Sequence, residues 1–456
     1  MAELTRISFV SLGCAKNLVD SEKMLGQLAE AGYAITADES DAQTIVINTC
    51  GFLEASRLEA DEVIREAVAR KKDGVLKRVV VAGCLAQRDK EKILDRIEGI
   101  DALVGVNNRD DIVRAVTGQD SPKKRRNPEL FLSDYHPFTQ IDTARLRITP
   151  RHYAYLRISE GCDQKCTFCT IPQIRGRMHC KPPDVILREA QELVADGAVE
   201  ISLIGQDTTS YGRGEDQFDM QLSGLLRELN KVEGLAWIRL MYVYPSVMTD
   251  DIIDAMAESE HVCNYVDIPL QHINDRILKA MHRRIDRKST EQLLERIRKR
   301  IPDVSIRTTM ISGFPSETDE EHEELRRFIQ DFGFDALGVF PYSSEPETPA
   351  GRMSGEVPKE MVEDRIESLM LTQQDVAFGL ADRRKGQELD VLVDGIDENG
   401  QTVGRHRGQA VSVDSVTRVE SCGAAPGSFV RVRCIGRSDY DLVARPTEIA
   451  LPVVTS

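Results

Sequence analysis

The chain has 456 residues, 41% of them hydrophobic and 29% charged, and its formal net charge at pH 7 is −16. That length predicts two or three domains. No run of about 18 apolar residues occurs, which excludes a membrane-spanning helix, and the N-terminus has no signal-peptide pattern. We therefore expect a cytoplasmic protein whose partner is basic or small rather than long naked nucleic acid.

The first region, residues 1–118, alternates apolar strands with amphipathic helices. The strands are expected at 7–10, 44–48 and 78–83, and the helices at 17–32 and 55–74. The helical segments have apolar residues at a spacing near 3.6 and end at glycine. This alternation is typical of α/β folds and predicts an N-terminal open parallel-sheet domain.

Residues 119–150 are interpreted as a linker because they contain several prolines and no regular apolar pattern. The basic run KKRR at 123–126 would suit an acidic partner, but a solvated loop is the favoured interpretation.

The second region, residues 151–380, contains six strand patterns separated by helical ones. The strands are expected at 153–159, 200–205, 237–244, 265–270, 304–311 and 336–343. Six βα units predict a partial (βα)6 barrel, with its active site at the carboxyl ends of the strands. A long helix at 361–386 is expected to close this region.

The third region, residues 386–456, has a different pattern. Its strands are short and are bounded by glycine, aspartate and proline. This pattern predicts a small antiparallel β-barrel at the C-terminus.

Three cysteines lie within eight residues: Cys162, Cys166 and Cys169 are separated by gaps of three and two residues. They follow the first barrel strand, so we expect them on the active-site loop. A structural zinc site is one interpretation, in which Cys180 or His179 would be the fourth ligand. An iron–sulfur cluster with three thiolates and one open iron is the other, and the six βα units favour it.

A second set of cysteines is spread along the first region. Cys14, Cys50 and Cys84 each end a predicted strand, and parallel strands present their carboxyl ends at one edge of the sheet. Three buried apolar thiols would be the simplest interpretation. Their equivalent positions favour a second metal site instead. No chemistry is assigned to the other four cysteines, Cys180, Cys263, Cys422 and Cys434.

The three-two cysteine spacing, with Phe168 just before Cys169, resembles the radical S-adenosylmethionine (SAM) superfamily. In that superfamily three cysteines hold a [4Fe-4S] cluster whose open iron binds SAM. Reductive cleavage of SAM then yields a 5′-deoxyadenosyl radical. The resemblance implies the same cofactors here, because the protein mainly binds and orients them.

Further motifs resemble the methylthiotransferases within that superfamily. These motifs are SLGCAKNLVDSE (11–22), INTCGF (47–52), AGCLAQR (82–88), CTFCTIPQIRGR (166–177), LIGQDTTSYG (203–212) and DIPLQH (267–272). The resemblance covers nearly the whole chain and implies an N-terminal cluster domain, a radical SAM barrel and a C-terminal TRAM barrel. One class modifies an adenosine next to the anticodon of transfer RNA (MiaB type). The other class modifies an aspartate of small-subunit ribosomal protein twelve (RimO type), and GCAKN at 13–17 is similar to this second class.

The family implies a set of site residues and partners. Cys14, Cys50 and Cys84 would hold one [4Fe-4S] cluster, and Cys162, Cys166 and Cys169 the other. The expected contacts to SAM are Phe168, Gly205, Gln206, Asp207, Gly313 and Glu317. No catalytic residue beyond the cluster ligands is assigned. The implied partners are ribosomal protein twelve, free or in the 30S subunit, and an electron donor such as a flavodoxin, with RNA contact secondary.

The charge of the C-terminal region agrees with a protein substrate. Residues 386–450 contain ten acidic residues, seven arginines and no lysine. A barrel that binds RNA would normally be basic, whereas an acidic one suits a basic ribosomal protein.

The alternatives are a transfer-RNA methylthiotransferase and a non-enzymatic zinc scaffold. Cys180 departs from the family pattern, which commonly has serine there, and is interpreted as a non-ligand.

Overall fold

The computed structural model describes residues 5–118, 128–133, 141–213 and 218–448, and the chain forms two compact units. The first comprises Met1–Ile148, Arg157–Gln164 and Cys169–Lys181; the second comprises Thr149–Leu156, Lys165–Phe168 and Pro182–Ser456. The basic run 123–126, interpreted above as a solvated loop, lies outside the described residues. Across the part of the chain that the structure describes, no helix has the length and apolar character needed to cross a membrane.

The first unit is built on a six-stranded parallel sheet. Its strands are β1 (Arg6–Ser11), β2 (Ala34–Thr36), β3 (Thr44–Thr49), β4 (Arg78–Gly83), β5 (Ala102–Val104) and β6 (Glu129–Phe131), in the order β2-β1-β3-β4-β5-β6. Its helices are α1 (Ala15–Glu30), α2 (Glu54–Lys72), α3 (Cys84–Asp89), α4 (Lys92–Arg96) and α5 (Ile112–Thr117). The predicted open parallel sheet is therefore confirmed.

The central strands β3 and β4 explain why this sheet needs helices on both faces. Every residue of β3 is buried, and Ile45 and Ile47 face one apolar cluster while Val46 faces another. Burial on both faces is typical of parallel sheets. Strand β6 lies in the segment that the sequence analysis interpreted as a linker. Its three residues pair with β5. A strand of three residues is too short to show the alternation of apolar and polar residues by which strands are predicted.

The middle of the chain supplies six parallel strands, as predicted, together with a short antiparallel pair of strands. The strands are β7 (Tyr153–Arg157), β8 (Ser159–Glu160), β9 (His179–Cys180), β10 (Glu200–Ile204), β11 (Trp237–Leu240), β12 (Tyr265–Asp267), β13 (Ser305–Ser312) and β14 (Ala336–Pro341). The helices are α6 (Ile171–Arg175), α7 (Pro183–Ala195), α8 (Leu222–Leu229), α9 (Asp250–Glu258), α10 (Asp275–Ala280), α11 (Arg287–Arg300), α12 (Asp319–Phe332) and α13 (Lys359–Arg383).

The six strands form two three-stranded sheets, ordered β11-β10-β7 and β12-β13-β14. A parallel bridge between Ile238 and Val262 links the two sheets, so that the strands follow one another as in a partial barrel. Strands β8 and β9 form a separate antiparallel pair in the first unit.

The C-terminal segment is a closed five-stranded barrel, again as predicted. Its strands are β15 (Glu388–Ile396), β16 (Thr402–His406), β17 (Thr417–Val419), β18 (Phe429–Ser438) and β19 (Asp441–Glu448), in the order β15-β16-β17-β19-β18. Four of the pairings are antiparallel, but β17 and β19 run parallel and close the barrel. Alternate residues such as Val391, Val393 and Val432 fill its interior.

A buried ion cluster joins this C-terminal barrel to the rest of the second unit. Glu200, at the start of β10, accepts hydrogen bonds from Arg239 Nε at 2.8 Å and from Arg405 Nη1 at 2.6 Å. All three side chains are at most 1% exposed. Arg405 also donates to Asp394, and Asp394 Oδ1 lies 2.9 Å from His152 Nε2. Three charged groups without access to water, Glu200, Arg239 and Arg405, therefore hold the barrel in place.

We predict that Glu200→Gln destabilises the second unit by about 3 to 5 kcal/mol, because two buried guanidinium groups lose their shared carboxylate. The measurement is urea and thermal unfolding followed by circular dichroism. Glu388→Gln is the matched control, since Glu388 pairs with Arg431 and Arg433 on the exposed barrel surface, where ion pairs contribute little. Equal unfolding midpoints for the two variants would contradict the prediction.

Candidate cluster and cofactor site

The carboxyl edge of the N-terminal sheet brings Cys14, Cys50 and Cys84 together. Cys14 is the N-cap of α1, Cys50 directly follows β3, and Cys84 begins α3 directly after β4. Glycines allow the close approach: a Cβ at Gly13 would lie 2.9 Å from Cys50 Cβ, and one at Gly51 would lie 2.8 Å from the backbone of Cys84. The structure thus assembles the three thiols that the sequence analysis placed at one sheet edge.

The three thiols affect one another electrostatically. Burial, with the neighbouring Cys14 and Cys50, raises the pKa of Cys84 to about 12, although Arg175 opposes this shift. Burial also raises the pKa of Cys50, and Cys14 adds to that effect. Burial opposes ionisation of Cys14, but Lys16, Arg175 and two backbone amides outweigh this effect and lower its pKa. Part of the Cys14 residue is nevertheless exposed to solvent. Such a group of thiols suits a cationic metal centre that takes up the thiolate charge.

Arg175, at the end of α6, contacts the most buried of these thiols. Its Nε and Nη2 lie 3.3 and 3.2 Å from Cys84 Sγ, and Nη2 also donates to Asn17 Oδ1 at 2.6 Å. The side chain is 2% exposed. Arg175 is therefore a fixed positive charge on one thiol of the triad.

Arg175 belongs to a buried network in the first unit. Its members are Asp20, Arg109, Asp142, Arg157, Glu160, Arg175 and Lys181, connected by ion pairs of 2.6 to 3.1 Å. Four of these side chains are cationic and three are anionic. The seven groups thus carry one surplus positive charge beside the thiols.

The residues of the loop with Cys162, Cys166 and Cys169 are divided between the two units. Cys162 and Cys169 belong to the first unit, which also holds the other cysteine triad, and Cys166 belongs to the second. Cys162 N donates to Gly176 O at 3.2 Å. Gly161 has φ +77°, and a Cβ there would lie 2.0 Å from Arg177 O, so only glycine fits this entry to the loop.

Cys166 has two polar neighbours in the second unit. Arg283 Nη1 lies 3.5 Å and Tyr244 OH 3.7 Å from Cys166 Sγ. The Arg283 guanidinium is 4.3 Å from the centre of the Tyr244 ring, and Tyr244 OH donates to Arg283 O at 3.2 Å. Burial raises the pKa of Tyr244, so its hydroxyl stays protonated.

The expected cofactor contacts occupy the carboxyl ends of two strands and the cluster loop. Phe168 packs beside a cluster that contains Met281 and Phe314. Gly205, Gln206 and Asp207 follow β10 directly. Asp207 accepts hydrogen bonds from Thr209 Oγ1 at 2.7 Å and from Ser210 Oγ at 2.6 Å, so its carboxylate shapes its own turn.

Gly313 and Glu317 follow β13. Glu317 Oε2 accepts from Gly313 N at 2.5 Å and from Arg365 Nη1 at 3.3 Å, and Oε1 lies 3.4 Å from His272 Nε2. The Glu317 side chain has no exposed surface. We infer that Glu317 would act on a cofactor by holding the Gly313 backbone in place.

Two buried polar atoms close to the expected site residues in the second unit have no hydrogen-bond partner among the described residues. They are Ser312 Oγ, at the end of β13, and Arg283 Nε. Buried polar atoms normally have partners. A polar cofactor at the carboxyl ends of these strands would supply them.

The described residues contain no preassembled group of ligands for a single metal ion. No three His, Cys, Asp or Glu side chains among them surround one position suited to a single metal ion. Cys180 and His179 form β9, opposite Ser159 and Glu160. An iron–sulfur cube binds its three cysteines through three different irons and so accepts ligands that are more widely spaced than those of one ion.

Arg175, Tyr244 and Arg283 are site residues that the sequence analysis did not identify. Arg175 lies inside the motif CTFCTIPQIRGR, so the sequence marked its segment as functional. Its contact with Cys84 could not be predicted, because the two residues are 91 positions apart in the chain. Tyr244 and Arg283 are 78 and 117 residues from Cys166, and no local pattern marks them.

Family models match three consecutive parts of the chain. "Uncharacterized protein family UPF0004" matches residues 6–105, the radical SAM superfamily matches 156–329, and the TRAM domain matches 386–446. Fold, cysteine loop and matches together define a radical SAM protein with an N-terminal UPF0004 domain and a C-terminal TRAM domain.

Relatives of known name narrow this class. "Ribosomal protein uS12 methylthiotransferase RimO" of Anaeromyxobacter sp. (strain K) is 40% identical over 456 residues, which cover 98% of this chain and 96% of that protein. The protein of that name from Geobacter sulfurreducens is 40% identical over 441 residues, which cover 96% and 98%. The chain belongs to this RimO family of radical SAM methylthiotransferases, as its motifs indicated.

Solved structures share the fold at low sequence identity. The radical SAM methyltransferase TsrM from Kitasatospora setae has a TM-score of 0.57 and 15% identity, covering 76% of this chain and 75% of that chain. The cobalamin-dependent SAM radical enzyme OxsB has a TM-score of 0.52 and 12% identity, covering 81% and 56%. These likenesses show the common fold.

We predict that Asp142→Asn destabilises the first unit by about 3 to 5 kcal/mol at pH 7, because the buried network loses a carboxylate that three cations share. Burial alone would raise the pKa of Asp142, but Arg109, Arg157 and Lys181 hold it well below its usual range. The stabilisation is therefore complete above the unfolded pKa of about 4 and is lost as pH falls through the lower, folded pKa.

Thermal unfolding between pH 7 and pH 3 tests this prediction. The gap in melting temperature between wild type and Asp142→Asn should be widest near neutrality and should narrow in acid. Asp41→Asn, an exposed change in the same unit, is the control and should leave the melting temperature unchanged. A gap that widens in acid would refute the proposed role of the network.

Proposed function

We propose that this protein is a radical SAM methylthiotransferase that adds a methylthio group to the β-carbon of an aspartate in ribosomal protein uS12. The observation that carries the proposal is the assembly of Cys14, Cys50 and Cys84 at one sheet edge, in a chain that also has a radical SAM cysteine loop. The relatives named uS12 methylthiotransferases support the choice of substrate.

Each triad would hold one [4Fe-4S] cluster, and neither triad has a fourth protein ligand assigned. Cys162, Cys166 and Cys169 would hold the cluster that binds SAM, and Cys14, Cys50 and Cys84 the second cluster. When bound, the clusters and SAM supply one-electron chemistry and the sulfur that is transferred.

The chain itself contributes placement and charge. Buried Arg175 and Arg283 fix one thiol in each triad, and the loop after β13 keeps Gly313 in a left-handed conformation. Phe168, Gly205, Gln206, Asp207, Gly313 and Glu317 are the residues proposed to surround SAM. The β-carbon of an aspartate has no proton acidic enough for a side-chain base near pH 7, so the fold needs to supply no such base.

The surface of the C-terminal barrel supports a protein substrate rather than RNA. Six of its seven arginines are paired with carboxylates, namely Arg405, Arg418, Arg431, Arg433, Arg437 and Arg445. Paired arginines have little charge left for phosphates, and the acidic excess attracts a basic protein. We propose that uS12 is met free or in the 30S subunit in the cytoplasm, with RNA contact secondary and a flavodoxin-like protein as electron donor.

We predict that the triple variant Cys14→Ala, Cys50→Ala, Cys84→Ala loses half of the iron and sulfide of wild type. It should still cleave SAM reductively, but it should transfer no methylthio group, because the first triad alone is removed. Iron and sulfide assays, chromatography of 5′-deoxyadenosine and mass spectrometry of uS12 give the three readouts under anaerobic conditions.

The matched control replaces three cysteines outside the triads, Cys263, Cys422 and Cys434, with alanine. This variant should keep the full iron content and the transfer activity. If wild type binds zinc without iron, the proposed function is refuted. Transfer by the Cys14/Cys50/Cys84 variant would refute the role of that triad.

Substrate choice gives a further prediction. Incubation with SAM and reductant should modify uS12 and leave transfer RNA unmodified, because six of the seven arginines of the C-terminal barrel are already paired with carboxylates. Mass spectrometry of the protein and of the digested RNA makes the comparison. Methylthio-adenosine in RNA, with unmodified uS12, would support the transfer-RNA alternative instead.

A further inference from the structure

Each cysteine triad has one buried guanidinium group at hydrogen-bond distance from one of its sulfurs. In the first unit Arg175 contacts Cys84, and in the second unit Arg283 contacts Cys166. The two arginines come from different elements, α6 and the segment after α10. The same arrangement thus arises twice, from unrelated parts of the chain.

Arg175 is held by partners other than the thiol. Glu160 accepts from its Nη1 at 2.8 Å, and Asp20 and Asn17 accept from its Nη2 at 3.0 and 2.6 Å. A guanidinium with so many acceptors cannot turn away from Cys84. Its charge therefore acts on that sulfur at a constant distance.

Arg283 is held differently but as firmly. Its Nη2 donates to Pro269 O, its plane lies over the Tyr244 ring, and the side chain is buried. No described carboxylate pairs with it, in contrast to Arg175. Its Nε–H donor has no acceptor among the described residues, and a sulfur of a bound cluster would supply one.

A positive N–H donor at a thiolate stabilises the more negative of two oxidation states. Reduction adds one electron to a cluster, and hydrogen bonds to its sulfurs are among the factors that set its potential. The effect is strong in a buried site, because little water screens the charge. Each arginine should therefore make its own cluster easier to reduce.

We propose that Arg283 and Arg175 are positioning residues that set, independently of each other, the reduction potentials of the SAM-binding cluster and of the second cluster. The proposal rests on the proposed function, since it requires both clusters. The electron comes from an external one-electron reductant, dithionite in the test, and no bond is made or broken in this step.

Single-cluster backgrounds separate the two effects. The Cys14/Cys50/Cys84→Ala protein retains only the SAM-binding cluster, and the Cys162/Cys166/Cys169→Ala protein retains only the second. In each background Arg283→Met and Arg175→Met are introduced, since methionine keeps bulk and removes charge and donors. Potentials are measured by dithionite titration followed by electron paramagnetic resonance.

The expected result is a crossed pattern. Arg283→Met should shift the potential of the SAM-binding cluster to a more negative value and leave that of the second cluster unchanged, and Arg175→Met should do the reverse. The corresponding lysine variants should recover part of each shift. Arg276→Met, which removes an exposed arginine paired with Glu321, should change neither potential.

Iron content and melting temperature accompany every titration. A fully loaded variant with an unchanged potential would overturn the proposal, and so would an equal shift of both clusters by either variant. If a methionine variant cannot be loaded, a glutamine variant, which removes the positive charge but keeps a polar side chain, decides: a loaded glutamine variant with the wild-type potential would also overturn the proposal. A parent protein without iron would refute the proposed function itself, before any variant is compared.

Discussion

Negative charge on clustered thiols is the constraint on which the rest of the first unit depends. Three thiolates in one place repel one another, and burial makes each of them harder to form. The positive charge of Arg175 offsets this repulsion, and hydrogen bonds to Asp20 and Glu160 fix its position. These two carboxylates also pair with Arg109 and Arg157, and Asp142 and Lys181 complete the network. Its positive and negative charges therefore nearly balance. The remaining positive charge is directed at Cys84.

The topology makes this arrangement accessible. Parallel strands end at one edge of the sheet. Cys50 and Cys84 follow the neighbouring strands β3 and β4, so the sheet itself places them side by side. Cys14 reaches the same edge from β1, which pairs with β3. Glycine beside each cysteine then removes the Cβ that would hold the chains apart. A site at the carboxyl edge of an open α/β sheet thus needs only residues already adjacent in the fold.

The sequence predicted those parts of the structure that local pattern determines. Apolar periodicity located the six barrel strands, strand-end positions pointed to Cys14, Cys50 and Cys84, and close spacing along the chain pointed to Cys162, Cys166 and Cys169. It did not predict Arg157 or Arg175 as partners of Asp20, because these pairs are 137 and 155 residues apart. It missed β6, whose three residues show no period, and the parallel pairing of β17 with β19. Long-range polar contacts leave no local signal, so they become visible only in three dimensions.

Charged side chains of the C-terminal barrel are also paired, both where the barrel is buried and on its surface. Where the barrel meets β10 and β11, buried Glu200 pairs with both Arg239 and Arg405, so the barrel is anchored by ion pairs that water cannot screen. Outside, Arg431, Arg433 and Arg445 are each paired with a carboxylate, which removes them from contact with phosphates. The anchor fixes the barrel, and its surface keeps an acidic excess. This acidic excess complements a basic protein, as the proposed substrate requires.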